Sequence, residues 1–71
     1  MQILQNDQER SVYNDAYTEA YRSEYNDTYS DLIGKGEEEK EARYIADDNA
    51  KFVAKSTAED AVKDWRRENW R

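Results

Sequence analysis

Residues 13–32 read YNDA, YTEA, YRSE, YNDT, YSDL, five tetrads that place Tyr13, Tyr17, Tyr21, Tyr25 and Tyr29 at every fourth position. The third positions are Asp15, Glu19, Ser23, Asp27 and Asp31, so a second column is acidic in four of the five tetrads. A period of four fits a helix and excludes the strict alternation of a strand. At about 100° per residue each tetrad advances about 400°, so both columns drift by about 40° per step and become slanted ridges on roughly opposite sides.

A ridge along i, i+4 and i+8 packs into a partner helix in the crossing class near about −50°, which is the packing expected here. A coiled-coil seam would need a period of about 3.5. Val12, Ala16 and Ala20 lie beside the first tyrosines, and Leu32 and Ile33 close the arm. The small alanines let a neighbouring backbone approach. Three uses of the tyrosine ridge stay open: an intramolecular core, a contact between copies, or a surface for a foreign partner.

Working outward, Asn6-x-x-Glu9 can form a capping-box-like start, and Gly34 can take the left-handed conformation that ends a helix. These signals predict a helix over residues 7–33, preceded by an arm over residues 1–6 in which Ile3 and Leu4 pack on the rest. With no proline and two glycines, the strong break is the short turn at residues 34–36.

Beyond it, Glu37, Glu38 and Glu39 suit a helix N-terminus, and Glu39/Arg43 and Asp47/Lys51 are favourable i, i+4 pairs. Projected on a helical wheel, Ala42, Ile45, Ala46, Phe52 and Val53 cluster on one side. Ala54, Ala58, Ala61, Val62 and Trp65 cluster nearly opposite. Ser56-Thr57-Ala58-Glu59 matches a capping box, so a second break near residues 55–57 is expected, giving helices over 37–55 and 57–70. The alternative is one long helix facing two partners. The fold class is all-α, a helical hairpin or three-helix bundle in a single small domain.

Composition limits what such a chain does. At 71 residues, folding buries only about 60% of the extended surface, which leaves little room for a deep pocket. Cysteine and histidine are absent, which removes thiol catalysis and the ordinary ligands of zinc, haem and iron–sulfur clusters. The carboxylates form a column along one face and do not enclose a substrate, and the serines have no histidine base, so no catalytic role is expected. A calcium loop fails on position: counted from Asp47, the sixth residue is Phe52 and the twelfth Ala58, where glycine and glutamate are required. No cofactor or metal is expected.

The net charge of −6 comes from 17 acidic and 11 basic residues. Residues 1–36 hold 7 acidic and 3 basic residues, whereas residues 58–71 hold 4 of each, so the first arm carries the acid. This balance repels nucleic acid and anionic membranes and favours basic partners. Residues 1–10 lack the pattern of a signal peptide, and no apolar run approaches a membrane span, so a cytoplasmic location is expected. Near the C-terminus Trp65 extends an apolar face, while Trp70 falls off that face and is a candidate exposed aromatic contact.

The functional expectation is a non-catalytic acidic module that binds a basic protein surface and competes there with nucleic acid, in the manner of a DNA mimic. Its contact residues are Asp15, Glu19, Asp27 and Asp31, extended by Glu37, Glu38 and Glu39. An assembly protein that forms homodimers or larger oligomers through its tyrosine ridge is the alternative.

Overall fold

The computed structural model describes residues 2–69, with side chains described over residues 7–69. Two helices make up the fold, α1 (Gln2–Gly34, 33 residues) and α2 (Glu39–Asn69, 31 residues), folded back on each other as an antiparallel hairpin. The protein is all-α, and the hairpin is the architecture that forms.

Several expectations are corrected. Helix α1 begins at Gln2, so the backbone of residues 2–6 continues the helix and Asn6 does not start it, while the expected packing of Ile3 and Leu4 lies outside the described side chains. Glu9, the other half of the expected cap, binds α2 instead. Helix α2 begins at Glu39 rather than residue 37, with the Glu38 carbonyl accepting from the Ala42 amide at 2.8 Å as the first helical bond.

The expected break near residues 55–57 does not occur, and there is no third helix among the described residues. The wheel projection misled because α2 carries an i, i+4 row of its own: Ala42, Ala46, Ala50, Ala54 and Ala58 are all fully buried. Such a row drifts by about 40° per step, so over four steps it travels about 160°, nearly to the opposite side of the wheel, while remaining one continuous contact line. Ser56, Thr57 and Glu59 are exposed on the helix flank and interrupt nothing.

The turn is a Schellman closure. The Glu37 amide donates to the Leu32 carbonyl at 3.0 Å and the Gly36 amide to the Ile33 carbonyl at 3.1 Å. Gly36 takes the left-handed conformation, with φ of 94°. The expectation had placed that role on Gly34, which stays helical.

The tyrosine row of α1 faces the alanine row of α2. The five tyrosines are half-buried and stacked, with neighbouring ring centroids 5.9–6.2 Å apart. Offset stacking at this spacing is attractive. Small side chains on the buried line of α2 let the two backbones lie close. The molecule measures 52 × 18 × 12 Å. Helices of about 50 Å crossing at about 50° would spread it to roughly 25 Å or more, so the expected steep crossing is not formed. Polar contacts from the turn to the far end hold the helices side by side instead.

Candidate interaction surface

Two tyrosine hydroxyls reach across to α2. Tyr21 donates to the Asp47 carboxylate, and Tyr29 donates to Glu39 at 3.3 Å. Eight residues separate the two tyrosines and eight separate their acceptors, so one antiparallel register serves both. The acceptors stand on the α2 row Glu39, Arg43, Asp47 and Lys51. Within it Arg43 pairs with Glu39 at 2.8 Å and Lys51 with Asp47 at 3.1 Å. At the open end of the hairpin, Arg66 donates twice to Glu9, at 2.6 and 3.1 Å, in a bidentate clamp.

These contacts shift the groups involved. The hydrogen bond to Asp47, with burial and nearby charge, pushes the Tyr21 phenol up to about 12. The Tyr21 hydroxyl and then Lys51 hold the Asp47 carboxyl below its ordinary value, and Asp47 raises the Lys51 ammonium. Arg66 lowers the Glu9 carboxyl by its hydrogen bonds, and Glu9 raises Arg66 in return.

The expected acidic contact set is divided by the fold. Asp15, Glu19 and Asp27 lie exposed along the back of α1, away from α2, and have no ion pair among the described residues. Asp31 continues this column but pairs with Lys35 at 3.0 Å. Glu37 and Glu38 are exposed between the helices, off the α1 column, and Glu39 is engaged by Arg43 and Tyr29. Arg22 lines the surface shared with Asp15 and Glu19, and also an open groove beside Tyr17, Tyr21 and Tyr25 that Lys51 closes from α2. The acidic face therefore has a basic edge.

Tyr13, Tyr17, Tyr21, Tyr25 and Tyr29 all lie on the α2-facing side of α1. Trp70 lies outside the described residues. Trp65 is half-buried, and its carbonyl accepts from the Asn69 side chain at 2.8 Å. The sequence reading missed that the i, i+4 pairs of α2 also receive the tyrosine hydroxyls. Their signal is the shared period of four, which sets Asp47 and Glu39 apart by the same eight residues as Tyr21 and Tyr29.

No helix among the described residues is long and apolar enough to cross a membrane. Comparison with known families, curated proteins and solved structures finds no match.

Proposed function

We infer that this chain acts without catalysis, as an acidic module whose α1 back docks on a basic protein surface and competes there with an anionic ligand such as nucleic acid. One observation carries the reading: three carboxylates share one exposed column along the back of α1 with no ion pair among the described residues. Glu9, Glu39 and Asp47, which face the partner helix, are each paired with a cation, whereas Asp15, Glu19 and Asp27 on the back of α1 are exposed and unpaired among the described residues.

Like charges at i, i+4 cost a helix about 0.2–0.5 kcal/mol per pair, and this column carries Asp15/Glu19 and Asp27/Asp31 at that spacing. From Asp15 to Asp27 the column spans about 18 Å, enough to meet several cations on a target.

The test starts from affinity capture with the full chain as bait. It then compares the captured protein's binding to wild type and to a variant carrying Asp15→Asn, Glu19→Gln, Asp27→Asn and Asp31→Asn. Neutralisation is expected to slow association and weaken binding, and added salt to weaken the wild type more than the variant. Duplex DNA is expected to displace the wild type. Unchanged affinity with unchanged salt dependence would make the column a solvated face and end the proposal.

A further inference from the structure

The hairpin exposes 5822 Å². A compact chain of its 8.5 kDa mass exposes about 4,700 Å². The surplus of about 1,100 Å² exceeds the roughly 800 Å² that each partner contributes to a standard interface. Among the described residues every fully buried side chain is an alanine, and Ile33, Tyr44 and Phe52 are large apolar groups left exposed.

The back of α2, turned away from α1, holds the most exposed of them: Tyr44 at 77% and Phe52 at 76%. They stand on one i, i+4 row with Asp48 between them. That row and the adjacent one are each complementary to themselves when reversed about a single point between Lys51 and Phe52. In the Phe52 row, Lys40 falls opposite the partner's Asp64, Tyr44 opposite the partner's Asp60, and Phe52 opposite the partner's Phe52. In the adjacent row, Glu39 falls opposite the partner's Lys63, Arg43 opposite the partner's Glu59, and Asp47 opposite the partner's Lys55. The two central Lys51 side chains meet as like charges, each held by its own Asp47 at 3.1 Å. Moving the axis one turn to Asp48 would instead set two Asp48 carboxylates face to face.

We propose that two copies of this chain pair α2 against α2, antiparallel, about a two-fold axis that passes between Lys51 and Phe52. The two-fold repeats each opposite-sign pair, so four pairs become eight. The acidic backs of α1 then face outward on both sides, which makes the assembly a four-helix body with two identical acidic surfaces.

Sedimentation equilibrium of the full chain over a concentration series is expected to give twice the 8.5 kDa chain mass. Phe52→Lys is expected to raise the dimer dissociation constant at least about tenfold, with helical circular dichroism unchanged because the site is exposed. Two charge variants fix the register: Lys40→Glu with Arg43→Glu, and Glu59→Lys with Asp64→Lys. Each alone sets like charges opposite and is expected to dimerise about tenfold more weakly, whereas an equimolar mixture restores wild-type affinity as a heterodimer. Arg43→Glu also loses its pair with Glu39, so helical circular dichroism matching the wild type in each charge variant separates weakened assembly from a folding defect. A wild type that stays at the single-chain mass overturns the proposal. So does a dimer that neither Phe52→Lys nor the charge variants weaken, or charge variants that fail to recover on mixing.

Discussion

Tyr21 on α1 donates its hydroxyl to the Asp47 carboxylate on α2, and Asp47 holds Lys51 at 3.1 Å, so one carboxylate ties the aromatic row to the charged row. The bond titrates at both ends. Tyr21 has its pKa raised from 10.0 to about 12 in the folded state. Its contribution is therefore fully present below pH 10 and is lost as pH rises from 10 toward 12. Asp47 and Glu9 are lowered from 3.8 and 4.5, so their contributions are present above those values and are lost as pH falls through the lowered ones. Phenolate absorbance is expected to show a late step near pH 12, and Tyr21→Phe to remove it. A late step that survives the substitution would refute the assignment.

Packing of tyrosine on alanine makes the two rows sensitive in opposite directions. Ala50 is fully buried, and Ala50→Leu pushes the helices apart at a cost of about 1–3 kcal/mol. Tyr17 is half-buried, so Tyr17→Ala belongs at the low end of large-to-small changes, about 2 kcal/mol. Urea denaturation monitored by circular dichroism measures both. A neutral Ala50→Leu would mean that the alanine row is not the contact line.

Ser56 separates a continuous α2 from a broken one. A capping serine costs about 1 kcal/mol when changed to alanine. At an exposed mid-helix site the same change is expected to stabilise by up to about 0.5 kcal/mol. Thermal unfolding of Ser56→Ala decides the sign.

The two glycines of the turn also respond with opposite signs, although both have open space where a side chain would stand. Gly36→Ala forces a methyl-bearing residue to φ of 94° and is expected to cost about 1–2 kcal/mol. Gly34→Ala replaces a helical glycine and is expected to gain about 0.5–1 kcal/mol. Equal effects would contradict the Schellman geometry.

The helical first arm and the turn region were legible, the arm because Tyr13 to Tyr29 announce their period with one bulky residue type and the turn because Gly34 and Gly36 stand together, while the side the tyrosines face stayed open among three uses. The alanine row was equally periodic, yet Ala42 to Ala58 read as two clusters because a wheel drawn at a fixed angle disperses a four-residue row. Capping signals misled at Asn6 and at Ser56 for a shared reason. Local hydrogen-bonding chemistry offers an end to a helix, and continuous contact with the opposite arm outweighs it. The division of the acidic set was legible only where its pairs are local: Glu39/Arg43 and Asp47/Lys51 stand at i, i+4, whereas Glu9 meets Arg66 through the register between arms. Glu39 meeting Tyr29 shows only in the fold, whereas Asp31/Lys35 is a local i, i+4 pair that the sequence reading passed over.

The opposed rows of Tyr13 to Tyr29 and Ala42 to Ala58 also set which length changes the chain tolerates. Each rung consists of one tetrad from each arm, so removing or duplicating a matched pair of tetrads shortens or extends the hairpin by about 6 Å and leaves every remaining rung intact. An insertion of one, two or three residues rotates everything beyond it by about 100°, 200° or 300° and carries the tyrosines off the alanines. Natural variation in this chain should therefore come in steps of four, taken on both arms at once.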